Sequence, residues 1–209
     1  MAEEFDVIVI GGGAAGENVA GRVQDGGLSA VVIETDLIGG ECSYWACMPS
    51  KALLRPGEAL AVARRVPSIR DAVTGGIDVD KALSSRNAFA SNWDDSGQEQ
   101  WLASVNAGLI RGHGKITGEK AVTAFEKDGT VRELVARKAV VVATGSTSFI
   151  PPIDGLDGAA AWDSRKIVTS PTVPERLLIL GGGVVGIEMA QAWNSLGADG
   201  TVIEMQDGL

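Results

Sequence analysis

Residues 5–16 read FDVIVIGGGAAG, and residues 177–186 read LLILGGGVVG. In each, a compact apolar run fit for a buried strand ends on a G-x-G-x-x-G element. A helix-compatible stretch follows, then a second apolar run: Ser29 to Ile33 ending on Glu34, and Thr201 to Ile203 ending on Glu204. The offset from Gly11 to Gly181 is 170 (181 − 11), as is that from Glu34 to Glu204 (204 − 34). The acid follows the third glycine by 18 residues in both copies (34 − 16 and 204 − 186). A single glycine-rich turn carries little information, but two copies with the same flanks and acid spacing point to a repeated dinucleotide-binding β-α-β unit.

Each position has a physical reason. Gly11 and Gly181 permit the tight strand-to-helix turn, Gly13 and Gly183 allow a pyrophosphate close to the backbone, and Gly16 and Gly186 allow close helix–strand packing. The N–H groups at the helix start, from Ala14 and Ala15 and from Val184 and Val185, face the phosphates together with the positive end of the helix dipole. Glu34 and Glu204 can accept hydrogen bonds from ribose hydroxyls. A carboxylate at Glu204 suits a free 2′-hydroxyl and repels a 2′-phosphate, so the second copy reads as a site for NAD(H) rather than NADP(H).

Composition narrows the function classes. The 209 residues are 45% hydrophobic with a formal net charge of -9 and a pI near 4.6, which supports a packed core and argues against nucleic acid and anionic membrane surfaces. The acidic start, Met1-Ala2-Glu3-Glu4, lacks the features of a secretory signal, and no apolar run has the length of a membrane span. The expected location is the cytoplasm, where a disulfide is more often redox-active than structural.

Both cysteines lie in Ile38-Gly39-Gly40-Glu41-Cys42-Ser43-Tyr44-Trp45-Ala46-Cys47-Met48-Pro49-Ser50-Lys51, just before an expected helix beginning around Pro49. Their spacing leaves two readings open, a redox pair or two buried thiols. A zinc site would need about four ligands, and the one histidine, His113, is far away in sequence, so no metal site is expected.

The segment 39–51 resembles the redox-disulfide motif G-G-x-C-x4-C-x-P-S-K of the pyridine nucleotide-disulfide oxidoreductases, the family of dihydrolipoamide dehydrogenase, glutathione reductase and mercuric reductase. Ser43-Tyr44-Trp45-Ala46 departs from the small residues that well-known members carry between the cysteines. The resemblance extends over essentially the whole chain. It implies that the first glycine loop holds FAD and the second NAD, with Gly40, Glu41 and Cys42 also beside the flavin nucleotide. It further implies that Cys47 lies against the flavin, that Cys42 exchanges with a thiol or disulfide substrate, and that Lys51 sits near the flavin and pairs with Glu188. A thiolate is the attacking species, and a nearby helix N-terminus and Lys51 would favour it.

Between the two units the expected order is helical to about Gln100, with a break at Pro56-Gly57, and then strands at Leu109–Ile116, Ala121–Phe125 and Thr130–Ala136. Asp128-Gly129 marks the turn of the last hairpin. This pattern resembles the family's antiparallel insertion, followed by a final parallel strand Ala139–Ala143. The same resemblance implies that Gly114 and the Ala143-Thr144-Gly145 segment lie by the FAD. His113, between two glycines, is read as a loop residue, and Trp93, Trp101 and Trp162 as packing residues.

The expected fold class is therefore α/β: a Rossmann-like FAD-binding domain over 1–150 with an antiparallel β insertion, a connection over 151–173, and the first β-α-β of a second, NAD-binding Rossmann-like unit over 174–209. The family completes its flavin domain and supplies a catalytic His-Glu pair from later segments that this sequence does not include. The chain is thus expected to be an incomplete piece of a homodimeric enzyme, and its second sheet to keep an exposed face and an unpaired edge. In the intact protein, electrons would pass between NAD(H), FAD, the Cys42–Cys47 disulfide and a thiol or disulfide substrate. The alternative is a non-enzymatic dinucleotide-binding module with a structural or sensing disulfide.

Overall fold

The apolar run that opens the chain forms strand β1 (Glu3–Ile10), and its last four residues are buried. It leads through the first glycine loop into helix α1 (Ala14–Asp25) and then strand β2 (Ala30–Glu34). This computed structural model describes residues 2–208. After β2 come a short helix α2 (Gly40–Tyr44), a long helix α3 (Cys47–Arg65), α4 (Val79–Phe89) and α5 (Ser96–Ser104). Strands β3 (Gly108–Gly118), β4 (Ala121–Glu126) and β5 (Val131–Val142) follow. The rest is α6 (Ser164–Thr169), β6 (Arg176–Leu180), α7 (Val184–Ser195) and β7 (Asp199–Ile203).

Packing divides the chain into two units that are not consecutive in sequence: Met1–Tyr44 with Trp93–Thr147, and Trp45–Asn92 with Ser148–Leu209. The expected segments were 1–150, 151–173 and 174–209. Helices α3 and α4 instead pack with the second β-α-β, and the stretch read as a connection contributes α6, whose Ile167 and Val168 are buried.

In the first unit, β1 pairs in parallel with β2 and with β5, aligning Ile10 with Ile33 and with Val142. Alternate β1 residues serve two cores. Val7 and Val9 pack with Ala20 of α1, Val32, Ile38 and Leu102, while Ile8 and Ile10 pack with Val31, Ile110, Val122 and Leu134. A strand covered on both faces needs a continuous apolar run rather than alternation.

Three local readings change. Strand β3 is not only part of the antiparallel insertion: its residues 108–111 pair in parallel with β2, and from Gly112 onward it pairs antiparallel with β4. His113 therefore lies within a strand, exposed and opposite Phe125, rather than in a loop. The segments expected as a hairpin strand and a separate parallel strand are one strand, β5, whose residues 131–135 pair antiparallel with β4 and whose residues from Leu134 to Val142 pair in parallel with β1. A hydrogen-bonded edge on each side lets one continuous run of twelve residues belong to both arrangements. The hairpin turn is as expected, with Gly129 at positive φ and the Thr130 N–H donated to Asp128 at 2.8 Å.

In the second unit, Leu53 of α3, Leu83 of α4, Val168 of α6 and Met189, Ala192 and Trp193 of α7 form one core. Helix α3 continues through Pro56 instead of breaking. The proline forfeits one backbone hydrogen bond, but tight packing favours the uninterrupted helix: a Cβ on Gly57 would lie 2.5 Å from Ser195 Cβ. Arg86 is buried and donates to the carbonyls of Val168 and Ser170 at 2.5 and 3.0 Å, which ties α4 to the end of α6. Trp162, expected as a packing anchor, is 37% exposed. Among the described residues, no helix is long and apolar enough to cross a membrane.

Candidate functional site

The first glycine loop is shaped by contacts that exclude side chains. Gly11 has φ +101°, and a Cβ there would lie 2.2 Å from the carbonyl oxygen of Ala143. The Gly11 N–H is donated to Ile33 O at 2.9 Å and the Ala143 N–H to Ile10 O at 2.8 Å, so both neighbouring strands pin the turn. A Cβ on Gly16 would lie 1.9 Å from the Gly11 oxygen, which brings α1 hard against the loop. Gly13 caps α1 in extended conformation without a side-chain cap, so the N–H groups of the first turn (Ala14, Ala15) point toward an exposed surface. Such an uncapped helix start is a ready anion cradle.

Around this cradle the structure gathers most of the residues singled out in sequence. Glu34 Oε2 accepts the Gly12 N–H at 2.6 Å and Oε1 accepts the Asp36 N–H at 2.7 Å. Gly39 donates to Gly12 O at 2.8 Å, and a Cβ on Gly40 would come within 2.8 Å of Gly13 Cα. The start of the cysteine motif is therefore laid directly on the glycine loop, carrying half-buried Glu41 and Cys42 with it. A Cβ on Gly114 would meet Ile10 and Ile33 side chains at 3.1 and 3.2 Å, beside the ends of β1 and β2. Ala143-Thr144-Gly145 continues from the end of β5 next to Gly11. An open cradle of backbone donors, with an acid at the second strand end, fits a pyrophosphate and an adenosine ribose.

The second loop repeats this geometry. Gly181 has φ +102°, its N–H is donated to Ile203 O at 2.8 Å, and a Cβ on Gly186 would lie 2.3 Å from the Gly181 oxygen. Gly183 caps α7 without a side chain. Glu204 accepts N–H groups from Gly182 at 2.6 Å, Met205 at 2.7 Å and Gln206 at 2.9 Å. These donors, Gly182 first, hold its carboxyl below the usual range. The surroundings differ: a Cβ at Gly181 meets no described atom within 4 Å, and Val184 and Val185 are 76% and 55% exposed.

Cys42 lies in α2 and Cys47 is the first residue of α3; both are half-buried. The residues between them are held from the side. In the first unit Tyr44 is fully buried; its hydroxyl donates to Gln98 Oε1 at 2.9 Å, and its carbonyl accepts the Trp93 indole N–H at 3.2 Å. Burial first, then the negative charge of Asp95, pushes the Tyr44 phenol up to about 12. In the second unit Trp45 packs against the core, and the Arg165 guanidinium stands 3.9 Å from its ring centroid. Helix α3 has no side-chain cap and no acid in its first turn.

One expected partnership is absent. Lys51 is exposed on α3 and Glu188 is half-buried on α7, and among the described residues no ion pair joins them. Leu53 and Met189, close to them in sequence, occupy the helix contact instead.

Sequence reasoning missed a buttress under the cysteine motif. Arg111 donates to Asp95 at 2.5 Å, to Glu99 and to the Asp36 carbonyl at 2.7 Å, and Asp95 also accepts the Ile38 N–H at 2.7 Å. The network fixes residues 36–38 just before Gly39, but its members lie as far as 75 positions apart and carry no local signal. Glu17 was also missed. It follows the third glycine directly, and burial raises its carboxyl to about 7.

Comparison with known proteins agrees with this arrangement. Residues 5–209 match the family model described as pyridine nucleotide-disulphide oxidoreductase. A dihydrolipoyl dehydrogenase of Chlorobaculum tepidum is 33% identical over 208 residues, covering 98% of this chain and 44% of that protein. A dihydrolipoyl dehydrogenase of Bacillus subtilis is 30% identical over 215 residues, covering 99% of this chain and 45% of that one. The chain thus spans less than half the length of these relatives. Among solved structures, a Cu(II) complex of the HOCl-induced flavoprotein disulfide reductase RclA from Escherichia coli superposes with a TM-score of 0.83 at 23% identity, over 99% of this chain and 43% of that one, a likeness of fold.

Proposed function

Because this chain belongs to the pyridine nucleotide-disulphide oxidoreductase family, we propose that the whole protein is an FAD-dependent oxidoreductase passing electrons between NAD(H) and a thiol or disulfide substrate through Cys42 and Cys47. The observation that carries this reading is the seating of the cysteine motif on the first glycine loop: Gly39 donates to Gly12 O at 2.8 Å. A dinucleotide in the cradle and the helix bearing Cys42 are thereby held by the same few residues.

The roles divide as follows. Gly11, Gly13, Ala14, Ala15 and Gly16 receive the flavin pyrophosphate on backbone N–H groups, and Glu34 takes the adenosine ribose. Gly40, Glu41, Gly114 and Ala143-Thr144-Gly145 close around the same nucleotide. Gly181, Gly183, Val184, Val185 and Gly186 repeat the phosphate role for NAD, with Glu204 selecting a free 2′-hydroxyl. FAD, when bound, supplies two-electron exchange with nicotinamide and with the cysteine pair. Cys47, at the N-terminus of α3, is the cysteine on the flavin side, and Cys42 exchanges with substrate. Lys51 is placed near the flavin and Glu188 with it by the family resemblance alone. The protein acts in the cytoplasm as a homodimer on small disulfides, lipoamide being the first to try.

Absorption spectra of the whole protein test the proposal. The expected result is a flavin spectrum that NADH bleaches and lipoamide restores. A long-wavelength band on reduction is also expected, and Cys47→Ser abolishes it. Bound flavin indifferent to NADH would overturn the enzyme reading in favour of a binding module with a structural or sensing disulfide. A 2′-phosphorylated nicotinamide that works as well as NADH would overturn the role of Glu204.

A further inference from the structure

The four residues between the cysteines include Trp45, which the family motif does not explain and which the structure does not leave idle. Its ring packs against the core of the second unit, and the Arg165 guanidinium lies over it at 3.9 Å from the centroid. Arg165 is itself well based. It sits in the first turn of α6, where Asp163 Oδ1 caps the helix by accepting the Lys166 N–H at 2.8 Å. Ile167 and Val168 bury the other side of that helix.

Only Ala46 separates Trp45 from Cys47. Ala46 is the N-cap of α3, with φ −134° and ψ −96°, and it offers no side chain to hold the helix start. Its carbonyl accepts the Ser50 N–H at 2.9 Å, so the first turn is closed from one side by the helix itself. The next anchor on the other side is the Trp45 ring. We propose that Arg165 is a positioning residue for the redox pair: by clamping Trp45 it holds Cys47 at the first position of α3, in the arrangement that this structure shows with both cysteines as thiols. This inference rests on the redox role assigned to Cys42 and Cys47 above, and it adds a residue 118 positions beyond Cys47 (165 − 47) that no motif marks.

A cation over a tryptophan face contributes about 0.5–1 kcal/mol at an exposed site, which corresponds to roughly a two- to fivefold change in an equilibrium constant. The equilibrium to measure is reduction of the pair by glutathione. Two glutathione thiols become one glutathione disulfide, and the Cys42–Cys47 bond takes up the two electrons and two protons they give up. The whole protein is equilibrated in glutathione buffers and quenched in acid. It is then denatured and alkylated, and the reduced fraction is read by mass after chymotryptic cleavage between the cysteines.

The wild-type protein should titrate as one two-electron pair. If it does not, the redox reading of the cysteines fails and Arg165 has nothing to position. Given a titrating pair, Arg165→Gln should shift the equilibrium two- to fivefold toward the disulfide and lower the melting temperature by no more than a few degrees, as expected for the loss of a contact of about 0.5–1 kcal/mol. Arg165→Lys should recover part of the shift. Arg165→Glu should match Arg165→Gln, because the lost stack and not the field of the charge is responsible. Trp45→Leu should give the same shift, and the double variant should add nothing to it. An unchanged equilibrium in Arg165→Gln would overturn the proposal. So would an effect in Arg165→Glu well beyond that of Arg165→Gln, which would mean direct electrostatics.

Discussion

The two glycine loops, residues 11–16 and 181–186, have nearly the same backbone and very different neighbourhoods. Their first glycines have φ of +101° and +102°. Their helices are both twelve residues long, capped by an extended glycine with no side-chain help. In both, the acid at the second strand end takes the N–H of the middle glycine at 2.6 Å. Yet β1 lies between two parallel partners, whereas β6 pairs only with β7 among the described strands. Leu178 of β6 is 61% exposed and Ile203 of β7 is 46% exposed, where their counterparts Ile8 and Ile33 are buried. The comparison separates what the loop dictates from what its surroundings add. Turn, cap and acid are local and repeat; burial and its energetic consequences come from strands and helices far away in sequence.

The largest expected effect breaks the symmetry. Gly11→Ala meets both an unfavourable positive φ and the Ala143 carbonyl at 2.2 Å, while Gly181→Ala meets the positive φ alone. The conformational cost is about 1–2 kcal/mol, and a backbone clash that the sheet cannot relieve raises the total to about 4 kcal/mol. Hydrogen exchange of β1 and β6 amides should therefore show a loss of about 4 kcal/mol of opening free energy in the first variant and about 1 kcal/mol in the second. Equal losses would mean that Ala143 yields, and that the neighbouring strand does not define the first loop.

The next effect should preserve the symmetry. A Cβ on Gly16 or Gly186 strikes the oxygen of its own loop's first glycine, at 1.9 and 2.3 Å. That contact lies inside each unit, so Gly16→Ala and Gly186→Ala should each cost about 2–3 kcal/mol locally. Each should weaken only its own nucleotide, flavin in one case and NADH in the other, as read by fluorescence titration. A variant that weakened both would show that the loops do not act as separate sites.

The same division explains what the sequence could disclose. Gly11, Gly16, Glu34 and their counterparts were legible because each is required by a neighbour within one β-α-β unit. The cysteine motif was legible as a run of adjacent residues. What escaped depends on strand pairing and long-range contact. The dual use of β3 and β5 needs the register against β2, β1 and β4. A proline inside α3 is tolerated because Gly57 admits Ser195, 138 residues away (195 − 57). The Arg111 network and the Arg165–Trp45 stack join side chains whose separations no pattern encodes. Lys51 and Glu188 show the converse, since a motif implied a pair that the helix packing alone does not bring about.

The smallest expected effect concerns the position just after the third glycine, Glu17 in the first unit and Ile187 in the second (17 + 170). Burial raises Glu17 from an ordinary value of 4.5 to about 7. The folded chain therefore keeps a proton that the unfolded chain releases between those values, and stability falls as pH rises through that window. Above pH 7 the charged carboxylate is carried at full cost, and below about 4.5 there is none. Glu17→Gln should accordingly stabilise the first unit at pH 8 by about 1 kcal/mol, after allowance for solvent screening of a half-exposed group, and should do nothing at pH 4. Urea denaturation at the two pH values is the measurement, and an equal gain at both would mean that packing and not ionisation is responsible. Grafting the acid as Ile187→Glu sharpens the point. The first turn of α7 is largely open, with Val184 76% exposed, so the grafted carboxyl should titrate nearer its ordinary value by carbon-13 NMR. A value near that of Glu17 would show that the glycine loop itself, rather than the structure packed around it, sets the proton affinity at this position.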